Sequence, residues 1–220
     1  MIVVLDSSPS VQYYGPKNWD LQINFTRAIM KELKLGEKAS RMGIVRFDDE
    51  SAIELALENG ISNTSVEFIL KGLLAKKNTY QADYSDMGSA MRTVKGEFSK
   101  RKNSNNKVLL FISDGDYNHV KGNLFGEALN LRASGKVKII SIAISQVKEG
   151  GKEVLNRIST GGANTYDLEN NGTVNNDTIM KVISELSRAC LQRDFVAPGI
   201  VLYVFLNIIH ILALLFFSMS

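Results

Sequence analysis

Cysteine is almost absent: Cys190 is the only one in 220 residues. A lone thiol excludes a disulfide scaffold and a cysteine-ligated zinc site. Histidine is nearly as scarce, with only His119 and His210. His119 reads as a loop residue and His210 as part of an apolar segment, so no clustered imidazole site and no Ser/His/Asp set is evident. No Gly-rich phosphate loop is present either. The net charge of +3 is too small to imply nucleic acid, and the densest basic run, Lys100-Arg101-Lys102, reads as a solvated loop. A hydrophobic share of 45% with 8% aromatics excludes disorder.

Charge of either sign is missing from one end. After Asp194 there is no Lys, Arg, Asp or Glu, and 20 of the last 26 residues are hydrophobic. The preceding part has ordinary soluble composition and is long enough to bury a core without metal or disulfide staples. Gly199 to Phe217 is an uncharged run of 19 residues, interrupted by Asn207 and His210. As a helix it would span about 28 Å, close to a bilayer core of about 30 Å. The expected organisation is a domain over 1–192, a juxtamembrane spacer over 193–198, and a membrane segment over 199–217. No Lys or Arg follows to set its orientation. An ordinary single span, a tail anchor on a cytosolic domain, and a lipid-anchor signal with small residues near Ser187 or Ala189 all fit.

Within the domain, apolar runs alternate with helical patterns. Ile2 to Leu5, Met42 to Phe47, Val108 to Ile112, Val137 to Ile144 and a short stretch near Ala163 to Leu168 read as strands. Ala52 to Leu57 alternates polar and apolar after the Asp48-Asp49-Glu50 turn, which suggests an antiparallel edge hairpin. Leu21, Phe25, Ile29 and Leu33 mark the buried face of a helix from Trp19 to Leu35, with Gly36 as its stop. Further helices are expected over Val66 to Leu74, Met87 to Ser99, Gly122 to Ala133, Lys152 to Ser159 and Asn176 to Gln192. This order predicts a doubly wound α/β domain, with a mostly parallel sheet and one antiparallel edge strand. Ligands of such sheets bind at the carboxyl ends of the strands.

Three segments would meet at that edge: Asp6-Ser7-Ser8-Pro9-Ser10, Ser85-Asp86-Met87-Gly88-Ser89-Ala90 and Asp114-Gly115-Asp116. All offer hydroxyl and carboxylate oxygens, the donors that suit Mg²⁺, or Mn²⁺ or Ca²⁺. The candidate metal residues are Asp6, Ser8, Ser10, Ser85 and Asp114, with Asp86 and Asp116 as outer-shell candidates.

Asp-x-Ser-x-Ser after the first strand, a hydroxyl three residues before a Gly at a helix start, and Asp-Gly after the fourth strand resemble the metal-ion-dependent adhesion site of von Willebrand factor A domains. The stretch MGIVRFDDESAIELAL is similar to the second-strand and hairpin region of that family's collagen, matrilin and integrin branches. The resemblance covers about residues 1–192. It implies that Ser8 and Ser10 bind the metal directly, that Asp6 and Asp114 hold it largely through waters, and that Ser85 stands where the family usually has Thr. It also implies an open metal position that takes a Glu or Asp carboxylate of a partner protein, for example one in extracellular matrix. Pro9 stands where Gly is common, which suits the site only if that position accepts a φ of about −65°.

The expected function is therefore metal-dependent adhesion by a membrane-anchored, non-enzymatic module. An intracellular tail-anchored scaffold is the alternative. A Mg-dependent phosphohydrolase is disfavoured, because Ser8 stands where that chemistry wants a second carboxylate. Extracellular branches of the family usually carry residues before the first strand, often with a Cys that pairs near the final helix. Met1 lies inside the first strand, so the expectation is a missing N-terminus with a signal peptide and that Cys. Sequons at Asn24, Asn63, Asn171 and Asn176 agree with secretion but add little.

Overall fold

The computed structural model describes residues 1–15, 17–76, 84–101, 106–117, 123–133, 136–144, 150–162, 165–170 and 173–190. Strand β1 (Ile2–Asp6) lies at the centre of a six-stranded sheet. On one side of it follow β2 (Gly43–Phe47) and the edge strand β3 (Ser51–Leu55). On the other follow β4 (Lys107–Ser113), β5 (Val137–Ala143) and β6 (Thr165–Asp167). Every neighbouring pair is parallel except β2 with β3, which is antiparallel and carries a register shift at Ile44/Val45. The doubly wound sheet with one antiparallel edge is the architecture expected from the sequence.

The strands read as unbroken apolar runs because both faces of the sheet are covered. Side chains alternate between the faces. Val3 and Leu5 of β1, Leu110 and Ile112 of β4, and Ile140 and Ile142 of β5 enter one core. Ile2 and Val4, Leu109 and Phe111, and Ile139 enter the other. The first core is closed by α2 (Asn18–Lys31), α3 (Asn63–Ala75) and α7 (Asn176–Cys190), through Phe25, Leu70 and Val182 among others. The second is closed by α4 (Met87–Ser99), α5 (Leu124–Ala133) and α6 (Gly151–Ile158), through Met91, Leu131 and Leu155 among others.

The chain builds outward from β1 to β3, then returns to place β4 on the opposite side of β1. The carboxyl ends of β1 and β4 therefore flank the switch point of the sheet, where a crevice opens in folds of this kind. Asp6 ends β1, and Ser113 ends β4 with Asp114 next.

Several expectations need correction. The helix expected over Trp19 to Leu35 runs from Asn18 to Lys31, and Gly36 lies beyond its stop. The Glu32 N–H already bonds the Ile29 and Met30 carbonyls, and Leu33 reaches the core from the following turn. Helix α1 (Pro9–Tyr14) was not anticipated. Its six residues are too few to show a period, but Pro9 occupies its first turn. There a fixed φ suits the helix and the missing N–H is no loss. A hairpin of β7 (Glu169–Asn170) and β8 (Thr173–Val174) was also missed, since two-residue strands carry no alternation.

Among the described residues no helix is long and apolar enough to cross a membrane. The expected spacer over 193–198, the membrane segment over 199–217, His119 and His210 all lie outside the described residues.

Candidate metal centre

Asp6 is fully buried at the end of β1. Its Oδ1 accepts the Ser8 N–H at 2.9 Å and the Ser8 hydroxyl at 2.5 Å. Ser8 Oγ lies 3.0 Å from Ser10 Oγ, on the first turn of α1. Asp6, Ser8 and Ser10 thus form one chain of oxygens. The short helix explains the contact: it turns the backbone immediately after Ser8 and brings Ser10 back over the strand end.

The third loop joins through a residue absent from the sequence-derived set. Ser113 Oγ donates to Asp6 Oδ2 at 2.6 Å and accepts the Gly115 N–H at 3.0 Å. Asp114 is buried, and its Oδ1 accepts the Asp116 N–H at 2.8 Å. Gly115 has φ +75°, and a Cβ there would lie 2.3 Å from the Gly151 carbonyl oxygen. Only glycine fits that bend against α6.

The second loop holds Ser85 and Asp86, both buried. Asp86 is the N-cap of α4: its Oδ1 accepts the Ser89 N–H at 2.8 Å, and its Oδ2 lies 3.4 Å from Arg92. Its side chain therefore serves the helix start, while Ser85 precedes it with its oxygen buried. The Asp86 N–H donates to the Asp48 carbonyl at 2.6 Å, which ties this loop to the β2–β3 turn.

The electrostatics are unfavourable for two bare carboxylates. Burial, then the charge of Asp114, pushes Asp6 from 3.8 up to about 8, while hydrogen bonds from Ser113 and Ser8 act the other way. Ser85 Oγ is buried with no hydrogen-bond partner. A divalent cation among the Asp6, Ser8, Ser10 and Asp114 oxygens would neutralise the Asp6–Asp114 repulsion, and the unsatisfied Ser85 hydroxyl is a further oxygen of the kind such an ion takes, so the donor set fits a hard ion. Among the described residues no group of three or more His, Cys, Asp or Glu could hold a metal. Among the described residues, an ion beside Asp6 and Asp114 would take its further donors from the serine hydroxyls.

Two residues beyond the expected set shape the site from α2 and β4. Gln22, fully buried on α2, bonds both backbone groups of Asp6. Ser113 bridges the first and third loops. The signal for Gln22 was a polar side chain on the buried face of α2, with Thr26 one turn on. Ser113 was visible only as the polar end of an apolar strand.

A model of the von Willebrand factor type A domain matches residues 1–182. Among curated proteins none matches the chain. Similar solved structures include proximal thread matrix protein 1 from the mussel byssus, with a zinc-occupied MIDAS motif. It has 18% identity and a TM-score of 0.67, over 86% of this chain and 47% of that one. BatB from Bacteroides thetaiotaomicron has 14% identity and a TM-score of 0.68, over 86% of this chain and 97% of that one. The manganese-loaded TRAP protein of Plasmodium vivax has 14% identity and a TM-score of 0.59, over 76% of this chain and 66% of that one. The chain spans about half the length of the byssus protein.

Proposed function

The chain belongs to the von Willebrand factor type A domain family, and from that premise we propose that it is a divalent-metal-dependent protein-binding module. The observation that carries this reading is the convergence of Asp6, Ser8, Ser10 and Asp114 at the sheet's switch point, together with the unsatisfied buried hydroxyl of Ser85. Ser8 and Ser10 would hold the ion through their hydroxyls, Ser85 would add a third, and Asp6 and Asp114 would act largely through waters. The bound ion would supply an electrophilic position for a Glu or Asp carboxylate of a partner protein. With carboxylates kept to a supporting role, the ion retains most of its charge for that partner.

The byssus thread matrix protein holds zinc in its MIDAS motif and the Plasmodium protein is manganese-loaded, which supports a divalent ion in this reading. Mg²⁺ is our proposed physiological ion, since the donors are all oxygens and few are charged. The reading is one of binding rather than catalysis: Ser8 occupies the position where a phosphohydrolase would need a second carboxylate.

Our reading extends to the address of the domain: tethered by residues 199–217 and facing the extracellular side, where a matrix partner is available. Protease protection of intact cells tests this, and protection of the domain would place it in the cytosol instead. Calorimetric titration of the full chain in detergent with Mg²⁺ and Mn²⁺ tests the metal reading. Saturable binding that Asp114→Ala removes is the expected result. No binding at millimolar metal would overturn it.

A further inference from the structure

We propose that Arg46 and Asp48 are positioning residues that fix the first metal loop relative to the second, an inference that rests on the metal-binding reading above. Neither is a candidate ligand. Arg46 lies on β2 with its side chain 15% exposed, and its guanidinium reaches Ser7, Asp48 and Glu54. Nη1 donates to Ser7 Oγ at 2.9 Å and to Asp48 Oδ2, while Nε donates to Glu54 Oε1 on β3 at 3.0 Å.

Ser7 is held on every side by this cluster. Its N–H and its hydroxyl both lie 2.8 Å from the Phe47 carbonyl oxygen, and Asp48 Oδ2 is 3.1 Å from the hydroxyl. Ser7 stands between Asp6 and Ser8, so fixing it fixes the start of the Asp-x-Ser-x-Ser loop.

Asp48 then extends the frame to the second loop. Its N–H and Oδ1 close the turn on Glu50, at 2.9 and 3.2 Å. Its carbonyl accepts the Asp86 N–H, one residue after Ser85. A parallel tie runs from the start of β3 to α4: Ser51 Oγ lies 2.8 Å from Ser89 Oγ and 2.6 Å from Thr93 Oγ1. The β2–β3 turn is thus a fourth loop of the centre. It contributes no candidate ligand, but it sets the spacing between Ser8 and Ser10 on one side and Ser85 on the other.

The chemistry requires arginine. A planar guanidinium can serve Ser7, Asp48 and Glu54 at once, whereas an ammonium is a point charge on a flexible stem. A bound ion tolerates little error, because a site works only when its ligands are held within about 0.5 Å of the productive geometry.

The test uses the full chain in detergent, with Arg46→Gln, Arg46→Lys, Asp48→Ala and, as the ligand control, Asp114→Ala. Mg²⁺ and Mn²⁺ affinities are read by calorimetry, the symmetry of bound Mn²⁺ by electron paramagnetic resonance, and folding by thermal melts in chelator. Arg46→Gln and Asp48→Ala are expected to weaken metal binding by about tenfold or more, as loss of an outer partner does. The Mn²⁺ spectrum should broaden, and Arg46→Lys should recover only part of the loss. Should Arg46→Gln fail to fold, Arg46→Lys and Asp48→Ala carry the test. Wild-type binding with unchanged affinity and an unchanged Mn²⁺ spectrum in these variants overturns the positioning role alone. Absence of wild-type binding overturns the metal reading and this inference with it.

Discussion

The carboxamide of Gln22 brackets the backbone of Asp6: Oε1 accepts the Asp6 N–H at 2.9 Å and Nε2 donates to the Asp6 carbonyl at 2.8 Å. A glutamine side chain can do this because its amide repeats the donor and acceptor of a peptide group. Helix α2 thereby holds the end of β1 where the first metal loop begins. Gln22→Leu keeps much of the volume but removes both partners. Because an unsatisfied buried polar group costs about 1–3 kcal/mol, the substitution should destabilise the chain by about 2–4 kcal/mol. Urea denaturation in chelator measures this, and an unchanged midpoint would refute the bracket's importance.

The fold was legible because the strands are long and apolar on both faces. Val108 to Ile112 left little choice, and the alternation at Ala52 to Leu57 gave the edge strand. The candidate ligands lay at strand ends and helix starts, positions that periodicity locates well. What stayed hidden were the groups that hold those ligands. Arg46 sits inside a strand pattern, Asp48 looked like an ordinary polar turn, and Gln22 was one polar residue on an amphipathic helix. Their roles come from contacts across about 16 to 41 residues of sequence, which no local pattern encodes. Helix α1 was hidden for another reason, since six residues hold less than two turns.

The raised pKa of Asp6 gives a pH dependence with a defined sign. Its folded value, about 8, lies above the ordinary 3.8 because of burial and Asp114. Between those values the folded chain keeps a proton that the unfolded chain has released. Stability without metal should therefore fall as pH rises from about 5 toward about 8. Saturating Mg²⁺ should flatten the slope, since the ion favours the charged carboxylate, and Asp6→Asn should abolish it. Denaturant midpoints in chelator across that range provide the measurement; a slope that persists in Asp6→Asn would assign it to other groups.

Gly115 and Gly150 separate backbone strain from crowding. Both have positive φ, +75° and +83°, yet a Cβ meets the Gly151 carbonyl oxygen at 2.3 Å in one case and nothing within 4 Å in the other. Gly150→Ala should cost only about 1–2 kcal/mol, the penalty of the left-handed backbone. Gly115→Ala should cost about 3 kcal/mol or more, because the clash is with backbone and cannot be relieved by a rotamer. It should also lower metal affinity by displacing Asp114. Equal melting temperatures for the two variants would contradict the crowding argument.

Ser85 offers the sharpest separation of stability from function. Its oxygen is buried and unsatisfied, so without metal it is a cost to the fold. Ser85→Ala removes that oxygen and should leave the chelated protein equally stable or more stable, by up to about 1–3 kcal/mol. The same substitution should weaken Mg²⁺ binding, because one of the hydroxyls is gone. Ser85→Thr should keep the affinity, since the oxygen is retained and the added methyl restricts the rotamer. Stability that falls in Ser85→Ala, with metal affinity unchanged, would make Ser85 a structural residue and remove the second loop from the centre. Opposite movements of the two quantities are expected only if the chain bears the strain of an unsatisfied oxygen in exchange for an ion.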